Sequence, residues 1–73
     1  MLERYVPLSI TTDRLVSQKT EALLEAQRID VIVEHAPVLE RAQVVTAYRI
    51  LVPAHRLQSA RRIMQAAQTL AGS

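Results

Sequence analysis

The sequence contains no cysteine, no phenylalanine and no tryptophan, and its single glycine is Gly72. The lack of cysteine excludes a disulfide framework. One glycine cannot form a glycine-rich phosphate loop, and the HExxH spacing of a zinc hydrolase is also missing. A hydrophobic core must therefore be built from leucine, isoleucine, valine, methionine and alanine.

Long apolar segments are missing too, since no stretch reaches the roughly 18 apolar residues that a membrane-spanning helix needs. The start of the chain, MLERYVPLSI, does not have the pattern of a signal peptide. We therefore expect a soluble cytoplasmic protein. At 73 residues and 8.2 kDa it has room for one domain, residues 1–73, whose core supplies roughly 3–5 kcal/mol. Self-association is one remaining route to extra stability.

Acidic residues are absent after Glu40, although five arginines follow it. Residues 1–40 carry four bases and seven acids, a net charge of −3, and the remainder carries +5, which together give the formal net charge of +2. A chain with this asymmetry can pair with a second copy of itself or with an external anion.

Two strands and a helix are predicted for the first half of the chain. In the first strand, residues 5–10, the apolar side chains of Val6, Leu8 and Ile10 alternate with Tyr5, Pro7 and Ser9. Because Pro7 cannot donate a backbone hydrogen bond, this strand is expected at a sheet edge. The sequence TTD, 11–13, supplies a cap for an amphipathic helix over about 13–28. The segment IDVIVEH, 29–35, predicts a second strand that directs Ile32 to the face opposite its buried residues.

The second half begins with APVLERAQVV, 36–45, where Pro37 is expected to break the strand and leave a loop or one helical turn. AYRILVP, 47–53, predicts a third strand with Tyr48, Ile50 and Val52 inward and Leu51 outward. An apolar stripe over 54–71 predicts a second helix. The order βαββα, with a right-handed crossover, predicts an α+β ferredoxin-like fold: a three-stranded antiparallel sheet in the order 1-3-2 with both helices on one face.

The segments TTDRLVSQKTEALLEAQRIDVIVEH, HAPVLE and YRILVPAHRLQSARRIM are similar to a family of small bacterial prokaryotic signal-transducing proteins, a domain of unknown function. The resemblance covers roughly residues 9 to 65 and rests mostly on apolar and turn positions. It implies the ferredoxin-like architecture of PII-type nitrogen regulators and a ligand-sensing or protein-binding role. The chain departs from the family in the middle loop. The loop of the family carries glycines, whereas residues 36–46 of this chain contain none.

Arginines are the main candidates for binding. Arg56, Arg61 and Arg62 fall outside the apolar stripe of the last helix and are explained as its solvated face or as a docking surface. Arg56, with amides at the helix start and with His55, could meet a phosphate or carboxylate. Together with Arg49 on the third strand they would form a basic rim, defined as Arg49, Arg56, Arg61 and Arg62, for a protein partner, a small anion or, as the alternative, nucleic acid. The chain has two aromatic residues, Tyr5 and Tyr48, so nucleic-acid binding would rest on charge rather than on base stacking.

Catalytic and metal-binding patterns are weak. His35 and His55, with Glu34 and Glu40, are the candidate metal ligands, and their ordinary interpretation is as solvated residues. Glu34 and Glu40 could meet across the middle loop as a carboxylate pair, but surface charge explains them as well. We therefore expect no metal, no cofactor and no enzymatic activity.

The predicted sheet has a face that no helix covers, and Tyr5, Ile32 and Leu51 are the candidates for self-association there. Adjacent apolar residues on an open face and an unpaired edge strand both favour contact with a second copy. The sequence thus predicts a non-enzymatic binding or regulatory module of unknown ligand that acts through protein–protein contacts, as a homodimer through the open face or strand 1. The rival interpretation is a monomer in which Ile32 and Leu51 are isolated.

Overall fold

The computed structural model describes residues 3–72, with side chains over 3–68. Strand β1 (Tyr5–Thr11) is followed by helix α1 (Arg14–Ala26), strand β2 (Ile32–Glu40), strand β3 (Gln43–Pro53) and helix α2 (Leu57–Gly72), which a short 3-10 turn (Ala54–Arg56) precedes. The sheet order is β1-β3-β2, and β3 is antiparallel to both neighbours. The predicted βαββα ferredoxin-like fold with strand order 1-3-2 is confirmed. Within residues 3–72, no helix combines the length and hydropathy needed to cross a membrane.

Both helices lie on one face of the sheet and enclose the core between them. The central strand contributes Ile50 and Val52, which are fully buried, and the helix layer contributes Leu24 from α1 and Ala60 from α2. Ile29, in the connection between α1 and β2, completes this cluster. The alternation of β3 therefore predicted the inward residues correctly, because successive side chains of a strand point to opposite faces.

Helix α1 is fixed at both ends by hydrogen bonds. At its start, Asp13 Oδ1 accepts from the backbone N–H of Leu15 at 2.9 Å and of Val16 at 3.3 Å, as an N-cap does. At its end, the N–H of Arg28 donates to the Glu25 carbonyl and the N–H of Ile29 donates to the Leu24 carbonyl. This is a Schellman motif, and Arg28 at φ 60° occupies the left-handed position that glycine usually takes.

The prediction of a loop or helical turn over 36–45 is wrong. β2 continues through Pro37 to Glu40, and β3 begins at Gln43, so the two strands form a long hairpin with the two-residue loop Arg41–Ala42. In such a hairpin the residues flanking the loop form a hydrogen-bonded pair, and bonded and non-bonded pairs then alternate. Pro37, opposite Thr46, falls at a non-bonded pair where its nitrogen faces the free edge, so no ladder hydrogen bond is lost.

The alternation predicted for β1 fails at Ile10. The pairing of β1 with β3 shifts between Pro7 and Ser9, so that Pro7 lies opposite Leu51 and Ile10 lies opposite Arg49. A bulge of this kind adds one residue and reverses which face the following side chains take. Val6 and Leu8 pack against the core as predicted, whereas Ile10 points away from the helices and is 63% exposed.

The hairpin loop holds two residues other than glycine at positive φ, Arg41 at 51° and Ala42 at 64°. Positive φ at both positions defines a type I′ turn, whose second position favours glycine because a Cβ is strained there. We expect Ala42→Gly to raise the free energy of unfolding by about 0.5–1 kcal/mol, after the greater freedom of glycine in the unfolded chain is counted. Urea denaturation measures the change. Ala36→Gly, the same substitution in the extended β2, should lower stability instead, and a gain in both variants would refute the assignment of strain to the turn.

The hairpin extends past the helix layer, and the molecule is broad and flat. We call its distal part, residues 36–47, the arm. The radius of gyration is 13.1 Å, against about 11 Å for a compact chain of this length, and the molecule measures 41 × 37 × 16 Å. Its thinnest dimension accommodates little more than one sheet and one helix layer. The arm therefore presents both of its faces to the surroundings.

Candidate functional site

The sheet face that points away from the helices, which we call the open face, is the first candidate site. Strand alternation places Ile10 of β1, Ile32 of β2 and the odd-numbered residues 43–51 of β3 on it. Both helices pack on the opposite face, and the exposed fractions are 63% for Ile10 and 44% for Ile32. Large apolar side chains thus lie at both edge strands of an uncovered sheet.

The predicted self-association residues Tyr5, Ile32 and Leu51 all lie on this face, but they differ in exposure. Ile32 is directly opposite Leu51, as the sequence indicated. The expectation that Leu51 is exposed is wrong, because only 7% of it is accessible. Leu51 lies on the central strand between Pro7 and Ile32, and these neighbours cover it; Tyr5 is half-buried. Ile10, which the sequence assigned to the core, replaces Leu51 as an exposed apolar residue of the open face.

A shallow groove of about 580 Å³ crosses the open face. Ala36 and Ala47 are small, and the larger side chains of Ile10 and Val38 also line the groove. Ala47 lies on the central strand and is buried at its floor. Small residues flanked by larger ones leave a depression that can accept an apolar side chain from another surface.

An ion pair also lines the groove. Arg49 Nη2 is 2.7 Å and Arg49 Nε is 3.0 Å from Glu34 Oε1, and the two residues are direct partners across β2 and β3. Both side chains are about half exposed, so the pair contributes no more than about 1 kcal/mol. Its effect on recognition is to place one positive and one negative group beside an apolar depression, which constrains the orientation of any partner.

The structure does not gather the predicted basic rim on one surface. Arg49 lies on the open face and is paired with Glu34, whereas Arg61 and Arg62 are exposed on α2, in the layer on the other side. Arg56 lies in the 3-10 turn and is half-buried, and its Nε has no hydrogen-bond partner among the described residues. Arg61 lines a recess with Leu8 and Ser9 of β1.

The two histidines occupy separate environments. His55, in the 3-10 turn beside Arg56, contacts the Glu3 carboxylate through its Nδ1. His35 lies on β2 opposite Tyr48, with the two rings edge to face at 5.0 Å between centroids. Over residues 3–72, the side chains of His, Asp and Glu form no group of three that could hold a metal ion.

The hypothesis of a carboxylate pair between Glu34 and Glu40 is wrong. The two residues are six positions apart on the continuous strand β2, a separation of about 20 Å. They could meet only if residues 36–45 folded back as a loop, and the hairpin removes that possibility.

The strand edges complete the geometry of the site. β1 and β2 are the two edge strands, and each carries a proline, Pro7 and Pro37. Counting bonded and non-bonded pairs from the hairpin loop puts both proline nitrogens on the outer edges of the sheet. A strand that lacks an outward N–H there cannot form a continuous ladder with an added strand, so a partner that pairs with either edge is disfavoured.

Comparison with family models, with curated proteins and with solved structures finds no match for this chain.

Proposed function

We propose that the chain is a non-enzymatic binding module that acts through protein–protein contacts, and that its recognition surface is the open face of the sheet. The observation that carries the proposal is the pair of exposed isoleucines, Ile10 and Ile32, on an uncovered sheet whose centre is an apolar groove. Exposed apolar surface rimmed by polar groups is characteristic of protein interaction sites. The Arg49–Glu34 pair supplies the polar part of this surface.

We further propose that the partner on this face is a second copy of the chain. Packing two open faces against each other would place Ile10 and Ile32 of both copies in one apolar layer, as the two inner faces of a β-sandwich do. The Arg49–Glu34 pair carries no net charge, so two copies can approach without repulsion there. The prolines on both edges favour this face-to-face arrangement over the alternative of a dimer through strand 1.

A regulatory role in the cytoplasm is part of the same proposal. Its support is the resemblance that the residues of the first helix, second strand and closing helix suggest to bacterial signal-transducing proteins, which no family model matches, together with a fold whose exposed surfaces suit binding. Nucleic-acid binding is less well supported, because Arg49 is already neutralised by Glu34 and the other rim arginines lie elsewhere.

The test of the proposal is the mass of the assembly in solution. Ile32→Asp is expected to weaken association through the open face about 30-fold, because it removes an apolar contact of about 2 kcal/mol and would bury a charge in its place. Sedimentation equilibrium at micromolar concentration should then show the assembly reduced to half its mass.

The matched control is Val16→Asp. Val16 lies on α1, in the helix layer, and its exposed fraction of 46% is close to the 44% of Ile32. This variant should keep the mass of the unmodified protein. An unmodified protein that sediments at 8.2 kDa, or an Ile32→Asp variant that keeps its full mass, would rule out self-association through the open face.

A further inference from the structure

The arm exposes apolar residues on its helix side as well as on its open face. Leu39 and Val44 are direct partners across the hairpin and are 76% and 74% exposed, the highest fractions among the large hydrophobic side chains described. Pro37 and Thr46, two pairs closer to the helices, point to the same side and are also exposed. These four residues, which we call the arm patch, lie on the side of the sheet that carries the helices but beyond the point where the helices cover it.

Such an arm is unfavourable for an isolated chain. A two-stranded ribbon is at best marginally stable in water and needs packing against a third element to be well ordered. The chain exposes 5654 Å² of surface, whereas a compact monomer of 8.2 kDa exposes about 4,500 Å². The excess of about 1,100 Å² is comparable to the roughly 800 Å² that each partner buries in a standard protein–protein interface.

A recess at the base of the arm provides a place for the tip of another arm. It has a volume of about 220 Å³ and lies where the first turns of α1 meet β2 and β3. Arg14 and Glu21 of α1 line it, together with the edge-to-face pair of His35 and Tyr48. The lining of the recess includes the carboxylate of Glu21, and the loop at the arm tip presents the opposite charge, Arg41.

We propose that the arms of two copies of this chain pack antiparallel on each other across a twofold axis. The arm patch of each copy covers that of the other, so that Leu39 and Val44 pack against Pro37 and Thr46 of the second copy. From Ala36 and Ala47 at its base to the hairpin loop, the arm spans about 15 Å. The tip of each arm therefore reaches the recess of the second copy when the two arms overlap fully. There Arg41, in the loop at the tip, faces Glu21 of the second copy, whereas Glu40 lies on the open face and takes no part in this contact.

Symmetry and position support this arrangement. In a twofold contact every interaction occurs twice, so one complementary tip and recess per chain are sufficient to close the assembly as a dimer. The arm patch and the open face lie on opposite sides of the sheet. The two contacts can therefore form together, in which case four copies assemble, and the arm contact does not depend on the function proposed for the open face.

The first test is Leu39→Asp. The side chain is mostly exposed in the single chain, so the variant should fold, as its circular dichroism spectrum will show. We expect at least a 30-fold weaker association through the arm, and sedimentation equilibrium should show half the mass of the unmodified protein. An assembly that keeps its full mass, or an unmodified protein of 8.2 kDa, overturns the proposal.

Comparison with Ile32→Asp separates the two interfaces. If only Leu39→Asp halves the mass, the arm contact holds and self-association through the open face fails. If only Ile32→Asp halves it, the arm proposal fails and the open-face proposal holds. If each halves it and the double variant sediments as a single chain, both contacts exist.

A charge reversal tests the contact between tip and recess. Arg41→Glu should weaken association about tenfold, because the symmetric interface loses two surface ion pairs. Adding Glu21→Arg to the same chain should restore the affinity, since both pairs are then re-formed with reversed sign. The matched control is Glu25→Arg in the Arg41→Glu background, because Glu25 is exposed on α1 and does not line the recess. Equal rescue by both second substitutions, or by neither, would overturn the placement of Arg41 beside Glu21.

Discussion

Leu24→Ala is expected to lower the free energy of unfolding by about 3 kcal/mol, which brings the chain to the edge of unfolding at 25 °C. Leu24 is fully buried in the core cluster, and it also accepts the closing hydrogen bond of α1 from the N–H of Ile29. Truncation of a buried leucine costs 2–5 kcal/mol, because the apolar contact is lost and a cavity is left behind. A domain of this size has roughly 3–5 kcal/mol in total.

Urea denaturation at one fixed protein concentration measures this effect, because self-association adds stability that depends on concentration. The matched control is Leu15→Ala in the same helix. Leu15 is exposed, so the same truncation should cost less than about 1 kcal/mol. Similar losses in the two variants would mean that the stability of the fold does not reside in the cluster around Leu24.

The interior of the sheet could be predicted from the sequence because it depends on local alternation. In β3 the period of two places Ile50 and Val52 on one face and Arg49 on the other, without reference to any other strand. The strand order followed in the same way, since a right-handed crossover between β1 and β2 leaves a gap that β3 fills. These properties are determined within one segment or by chain connectivity alone.

The arm could not be predicted because its signals depend on register. Whether Pro37 breaks a strand is decided by the direction of its nitrogen, and that direction follows only from counting pairs back from the hairpin loop. The loop itself, Arg41–Ala42, has neither the glycine nor the asparagine that marks a type I′ turn. The ion pair between Arg49 and Glu34 could not be predicted for the same reason. A shift of one residue in the register between β2 and β3 would place the two side chains on opposite faces of the sheet.

The exposed residues of the open face depend on neighbouring strands rather than on their own sequence. Leu51 alternates outward as predicted, but its accessibility is set by Pro7 and Ile32 on the two adjacent strands. Ile10 reaches the open face only because a bulge precedes it, and no glycine marks that bulge. The sequence therefore identified the face and the exposed Ile32 on it, but it named the buried Leu51 in place of the exposed Ile10.

A second substitution with a large expected effect on stability is at Ala60, where α2 packs on the sheet. Ala60 is fully buried within the core cluster, where the absence of a larger side chain lets the helix approach Ile50 and Val52. We expect Ala60→Leu to lower the free energy of unfolding by about 3 kcal/mol. The added atoms have no space in a closely packed core, so they force strained rotamers or displace the helix.

The control for Ala60→Leu is Ala66→Leu, in the same helix but at an exposed position. Alanine and leucine have similar helix propensities, so this variant should change the free energy of unfolding by less than about 0.5 kcal/mol. The difference between the two variants, measured by urea denaturation, isolates the cost of overpacking from any effect on the helix itself. If the two are equally stable, α2 can withdraw from the sheet without cost. In that case Ala60 does not hold α2 at a defined distance from the sheet. The core between α2 and the sheet would then expand to hold a larger side chain.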